Sequence, residues 1–232
     1  MRNKIYANFD EAVADIPDGS TIMFPGFGGV GLPRNLIGAL HRQGAKKLTG
    51  ISNSHGVLDD LVDVGTLVDA GQVSKMICSF TAAPHPSRVT PFVRMYNEGQ
   101  IEAELLPQGT LAERIRAAGS GIGGFFTPAG VGTELAEGKE QREINGRTYL
   151  LEYPLPADYA FIRAWKADKL GNLQFRLSGR SFSPIMAMAA TTTIVEVEND
   201  IVEPGEMDPD HVHVPGVYVD RLVRIPPDGN WD

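Results

Sequence analysis

An α/β protein built on a mostly parallel sheet, covered by helices on both faces and followed by a mixed-strand C-terminal part, is the fold this sequence predicts. Three observations carry that expectation. Short apolar runs of strand length alternate four times with helical patterns through the first two-thirds of the chain. Runs such as Thr21-Ile22-Met23-Phe24 are short and apolar, as strands buried on both faces are. In the last third, Asn145-Gly146 lies between two β-rich runs, which signals a hairpin and breaks the alternation.

The elements follow in order. Asn8 with Glu11 three residues on forms a cap and its reciprocal acid, opening an amphipathic helix from Phe9 to Ile16. Asp18-Gly19 turns the chain into the strand Thr21 to Phe24, and a glycine-rich loop leads to a helix from about Arg34 to His41 that Gly44 stops. Lys47 to Ile51 reads as a strand, Leu58 to Val68 as a helix and Val73 to Phe80 as a strand. Val89 to Asn97 is helical, Ile101 to Leu106 a strand, and Leu111 to Ala118 a helix ended by Gly119. Beyond the hairpin, Tyr159 to Ala164, Leu173 to Phe175 and Thr192 to Val197 are strands, with a short helix from Ile185 to Ala190 after Pro184. No repeat or low-complexity linker divides the chain, so residues 1–225 are expected to form one domain and residues 226–232 a frayed tail.

Composition excludes several classes of function. The chain has 232 residues, 42% hydrophobic and 22% charged, which is a globular mixture. Its 29 acidic residues against 21 basic ones give a net charge of −8, which argues against nucleic acid or an anionic membrane as partner. The single cysteine, Cys78, allows no internal disulfide and no multi-thiolate metal site, so a reducing, cytoplasmic setting is expected. No apolar run approaches the ~20 residues of a membrane span.

Gly26-Phe27-Gly28-Gly29-Val30-Gly31 fits G-x-G-x-x-G directly after a strand, the pattern of a dinucleotide-binding turn. Two features speak against a nicotinamide-dependent oxidoreductase. Pro33, which marks a helix just starting, follows the third glycine by two residues. The next strand ends Gly50-Ile51-Ser52-Asn53-Ser54-His55, without the acid that a ribose needs about 20 residues on. The loop remains either a close-packing turn or a set of N–H groups facing an anionic group beside a helix start.

Several motifs in order carry more information. Asp18-Gly19, Ile22-Met23-Phe24, Gly26-Phe27-Gly28, Gly31 and Pro33 are followed by Ile51-Ser52-Asn53-Ser54 and by Leu106-Pro107-Gln108-Gly109-Thr110-Leu111-Ala112-Glu113-Arg114-Ile115-Arg116. Phe126-Thr127-Pro128-Ala129-Gly130-Val131-Gly132-Thr133, Ala164-Trp165-Lys166-Ala167-Asp168 and Gly171-Asn172 come next. Together these resemble the α subunit, or N-terminal half, of class I CoA-transferases, and the resemblance runs to about Leu222. It implies a heteromeric enzyme that moves CoA from succinyl-CoA to a 3-oxo acid, either acetoacetate or 3-oxoadipate. The nucleophilic glutamate is then expected on a partner β subunit, and CoA enters as a substrate, with no metal or prosthetic group.

The resemblance also assigns roles. Gln108 matches a family glutamine that contributes to the oxyanion hole, at a strand-to-helix junction where its N–H points outward. Gly26, Phe27, Gly28 and Gly31 are expected against the acyl substrate, with Asn53 and Ser54 at the border of the site and the Gly130 to Thr133 loop, through Gly130 and Gly132, lining the same cleft. Two departures stand out: Pro25 replaces a usual glycine and Ser54 a usual asparagine. The segment from Cys78 to Pro86 also differs from the acetoacetate enzymes. A non-catalytic domain sensing small acids is the remaining alternative, because fold does not dictate function.

Other chemistry-bearing residues have plainer readings. Glu113 pairs with Arg116 on one helix face, and Glu134 is a first-turn acid. His211 and His213 are expected to share one face of a strand without a third metal ligand. His55 reads as a solvated loop residue and Cys78 as a buried thiol. Arg34, Arg42, Lys46 and Lys47 form a mildly basic sector, suited equally to CoA phosphates and to solvent.

Overall fold

The alternation along the chain becomes a seven-stranded sheet in which every pairing is parallel. A computed structural model describes residues 3–56, 61–81, 85 and 89–227. Its first elements are α1 (Phe9–Val13), β1 (Thr21–Phe24), α2 (Arg34–Gln43), β2 (Leu48–Ser52), α3 (Val64–Asp69), β3 (Val73–Cys78), α4 (Pro91–Asn97), β4 (Glu102–Leu105) and α5 (Gln108–Gly119). Then come β5 (Phe125–Thr127), β6 (Gln141–Ile144), β7 (Arg147–Glu152), β8 (Ala157–Ala164), β9 (Lys166–Asp168) and β10 (Leu173–Gln174). The chain closes with α6 (Ser183–Ala189), β11 (Ala190–Val197), β12 (Ile201–Val202) and β13 (Arg221–Arg224).

The strand order is β13-β11-β8-β1-β2-β3-β4. The chain lays β1 to β4 outward in one direction, then returns to the free edge of β1 and adds β8, β11 and β13 in the other. Thr21 to Phe24 align with Thr49 to Ser52 on one side of β1, and Ile22 and Met23 with Tyr159 and Ala160 on the other. The reversal between β1 and β8 is where open α/β sheets leave a crevice beyond their strand ends.

Both faces of the sheet are buried, which is why its strands read as apolar runs. Ile22 and Phe24 of β1 pack with Leu36, Ile37 and Leu40 of α2 and with Phe161. Met23, pointing the other way, packs with Leu111 and Ile115 of α5 and Met186 of α6. The two remaining sheets are small. Antiparallel β5-β7-β6 is closed by Asn145 and Gly146, both at positive φ (51° and 75°), as a two-residue hairpin turn requires. β10-β9-β12 mixes both pairings. The mixed strands are therefore present, but the long C-terminal strands join the parallel sheet.

Several boundaries move for local reasons. α1 stops at Val13 instead of Ile16. Its cap is as expected, with Glu11 N–H donating to Asn8 Oδ1 at 2.8 Å, whereas the Glu11 carboxylate reaches back to the Ala7 N–H at 3.2 Å. The helix expected from Leu58 starts at Val64, where Asp63 caps it; residues 57–60 lie outside the described residues, as do 82–84, 86–88 and tail residues 228–232. α5 begins at Gln108, three residues before its expected start. Gly119 is still helical, and the left-handed residue that ends the turn is Gly121 (φ 68°). Gly119 is small for packing: a Cβ there sits 2.7 Å from Met188 Cβ and 2.9 Å from the Met188 carbonyl carbon.

Helix α2 has an unusual start. Pro33 at its N-cap offers no side-chain acceptor. Glu196 of β11, fully buried, supplies one: its Oε2 accepts from the Asn35 N–H at 2.9 Å and the Leu36 N–H at 3.1 Å. Its Oε1 accepts from Arg163 Nη1 at 3.1 Å, from the residue directly opposite on β8. Burial pushes the Glu196 carboxyl up to about 7, against the pull of Arg163 and the two amides.

Glu196 and Gly119 both have measurable consequences for stability. Between the ordinary value of 4.5 and about 7, the folded state holds a proton on Glu196 that the unfolded chain gives up. Stability at this site therefore falls as pH rises through that window, by about 3 kcal/mol. Urea midpoints taken across that window are expected to show the slope in the native chain and a flatter one in Glu196→Gln. Gly119→Ala gains ~1 kcal/mol of helix propensity but forces a methyl onto backbone atoms, and overpacking costs about 1–3 kcal/mol. A lowered midpoint at unchanged m-value is the expected result.

Candidate active site

The ends of β1 to β4 and the loops beyond them meet along one edge of the sheet. After Phe24 the chain rises through Pro25 into Gly26, whose φ of 113° an L side chain rarely adopts. Phe27 and Val30 then exchange N–H···O bonds of 3.0 and 3.1 Å around Gly28 and Gly29, both at positive φ, so the loop is itself a miniature hairpin. Phe27 and Val30 stand 58% and 47% exposed at its tip. Gly31 leaves no room for a side chain, since a Cβ there lies 2.7 Å from the Gly179 carbonyl oxygen. Arg34 Nη2 donates to the Gly29 carbonyl at 3.1 Å.

This geometry answers the dinucleotide pattern. The amides of Phe27 and Val30 are spent on each other, and the start of α2 is filled by Glu196. A pyrophosphate needs both sets of donors open.

Asn53 and Gln108, 55 residues apart, are brought together. Beyond Ser52 the Asn53 carbonyl accepts from the Ser79 N–H at 3.1 Å, and Ser54 bridges to Phe80, so β2 and β3 keep pairing past their ends. Leu106 N–H donates to the Cys78 carbonyl at 3.0 Å and places Pro107 at the mouth of α5. Gln108, the first residue of α5, donates from Nε2 to Asn53 Oδ1 at 2.6 Å. α5 has no side-chain cap, and no hydrogen bond among the described residues uses the N–H of Gln108, Gly109 or Thr110. The positive end of this helix is thus open at an exposed residue pair, where that of α2 is closed.

Gly26, Phe27 and Gly28 share a narrow crevice with Phe24, Ser52 and Ser54. Gly130 and Gly132 belong to the loop that follows β5 and do not line that narrow crevice. Thr133 Oγ1 donates to the Gly130 carbonyl at 2.7 Å, and the side chains facing Gly130 are Leu135 and Leu150. No described hydrogen bond joins that loop to Asn53 or Gln108.

Glu113 is exposed and paired with Arg116 at 2.8 Å, and Glu134 opens a short 3-10 turn behind Thr133. Burial pushes the Cys78 thiol up to about 11, which leaves it protonated near neutrality. His55 is not solvated: it is buried and stacked on Phe92 at 4.7 Å, and burial lowers its pKa. His211 and His213 do not share a strand face. His211 ends a 3-10 turn with Asp208 at 2.7 Å, while His213 Nδ1 accepts from the Phe175 N–H at 2.9 Å. In the basic sector, Arg42 pairs with Asp10 at 2.8 Å. Among the described residues no group of three or more His, Cys, Asp or Glu side chains is placed to hold a metal, and no helix is long and apolar enough to cross a membrane. Sequence reasoning missed Glu196; its only signal is an acid inside the apolar run Thr193-Ile194-Val195-Glu196-Val197.

Known proteins resemble this chain in sequence and in fold. One subunit of a 3-oxoadipate CoA-transferase from Pseudomonas putida is 52% identical over 225 residues, covering 97% of this chain and 95% of that one. One subunit of a succinyl-CoA:3-ketoacid coenzyme A transferase from Helicobacter pylori is 44% identical over 222 residues, covering 96% and 92%. In fold, an acyl-CoA transferase from Escherichia coli O157:H7 superposes with a TM-score of 0.80 at 24% identity over 99% of this chain, which spans 48% of that longer one. The family described as coenzyme A transferase matches residues 6–224, from the approach to α1 to the end of β13, and the chain belongs to it.

Proposed function

We propose that this chain is the α subunit of a heteromeric, cytoplasmic CoA-transferase that passes CoA from succinyl-CoA to a 3-oxo acid, 3-oxoadipate or acetoacetate. The reactive glutamate comes from a partner β subunit. Its carboxylate adds to the thioester carbonyl, CoA thiolate leaves, and a glutamyl–succinyl anhydride forms. The thiolate then attacks the glutamyl carbonyl and expels succinate, leaving a glutamyl-CoA thioester. The 3-oxo acid carboxylate reverses both steps and departs as its CoA ester, so thioester energy is retained. CoA is a substrate throughout, and the scheme calls for no metal or prosthetic group.

Each addition puts negative charge on a carbonyl oxygen in a site that must exclude water. The observation that carries the reading is the Gln108–Asn53 bond beside the uncapped start of α5. Asn53 is buried and orients the Gln108 amide, and the free N–H groups of α5 add the positive end of a helix. The exposed Phe27 and Val30 on the glycine hairpin suit a lid closed against the partner and the acyl chain.

The isolated chain is expected to transfer no CoA, and mixing it with its β subunit to yield turnover of succinyl-CoA with 3-oxoadipate or acetoacetate in a coupled assay. Transfer by the chain alone, or a covalent CoA adduct on one of its own acids, overturns the division of labour. Binding of small acids without turnover in the assembled pair favours a sensing role. In the active complex, Gln108→Ala is expected to lower kcat/KM by about 10²–10³, as loss of an oxyanion donor does. A change below about threefold assigns that role to the backbone amides of α5 instead.

A further inference from the structure

We infer that Glu196 is a positioning residue for the glycine hairpin, holding it in its working geometry through α2 and Arg34 without touching substrate. The inference rests on the proposed reaction for its kinetic consequence and on geometry alone for its mechanical one. Glu196 lies on β11, at the far side of the strand-order reversal from the hairpin. Its Oε2 gathers the two first-turn amides of α2 that Pro33 leaves without a cap. One residue before those amides, Arg34 turns back and donates to the carbonyl of Gly29 at the hairpin tip. On the other side, Gly31 rests directly on the Gly179 carbonyl, with no space for a methyl between them.

The start of α2 is therefore fastened to β11, and the hairpin is fastened to the start of α2. Oε1 meets Arg163 Nη1, and Arg163 Nε is held at 2.8 Å by Glu198, two residues on. Loosening Glu196 frees the base on which Arg34 stands, so the hairpin moves relative to Asn53 and Gln108, which are anchored separately through β2, β3 and β4. A reacting carbonyl squeezed between two independently mounted walls is sensitive to their spacing.

A helix cap that served stability alone predicts something different, and Glu196→Gln separates the two. Glutamine keeps an oxygen for the Asn35 and Leu36 amides but turns an NH₂ toward Arg163, so the fold is retained while the clamp is weakened. In the reconstituted complex kcat is expected to fall on the order of tenfold, with KM for succinyl-CoA within about twofold of the native value. In the isolated chain, hydrogen exchange at the Phe27 and Val30 amides is expected to rise severalfold while the amides of β1 and β2 are unchanged. Arg34→Met provides the second variant: it leaves the Glu196 cap in place, cuts the link to Gly29, and is expected to reproduce both effects. Native kcat together with native hairpin exchange in both variants overturns the inference. If the native complex itself turns over no CoA, the exchange measurement still decides the role of Glu196, and the failure belongs to the proposed reaction.

Discussion

The N–H groups at the start of a helix must be met by something, and in this protein two helices facing the same edge of the sheet meet that constraint in opposite ways. α2 begins behind a proline and is answered from the sheet by the buried carboxylate of Glu196. α5 also begins behind a proline, Pro107, and no described side chain answers it. The first helix is thereby part of the scaffold, and the second is left as a source of donors. A buried glutamate is costly to desolvate, and it persists here because three donors converge on it: two amides and a guanidinium.

That asymmetry matters because the seven-stranded sheet is parallel throughout. Parallel strands put all their C-terminal ends on one edge, so the loops after β1, β2, β3 and β4 are gathered without any further device. The glycine hairpin, the Asn53–Ser54 segment and the start of α5 come from three of those loops. The sheet beneath them is apolar on both faces, with Ile22 and Phe24 on one side and Met23 on the other.

Much of this is legible in the residues. Asn8, Gly44 and Asn145-Gly146 each do the local work their types imply, capping, stopping and turning. The glycine run is legible as a loop but not as a hairpin, because G-x-G-x-x-G describes which residues are small and leaves open which N–H meets which carbonyl. Gly119 shows the same limit: it reads as a helix stop, yet its smallness serves contact with Met188. His55 reads as solvated from its polar loop, whereas the ring is covered by Phe92 from the distant helix α4. His211 and His213 part company because Pro209 starts a 3-10 turn where apolar alternation alone suggests a strand.

The sequence by itself determined the order and type of most elements, the turns where glycine is needed, and the family, since these depend on residues within a turn or a strand of one another or on motifs in fixed order. Tertiary structure alone decided that β8 lies beside β1, with Thr21 N–H donating to Asp158 Oδ2 across 137 residues. It likewise decided that Gln108 meets Asn53 and that Glu196 closes α2. Periodicity and propensity act locally, whereas a strand's neighbour and a buried acid's partners are chosen by how all the apolar faces are covered at once.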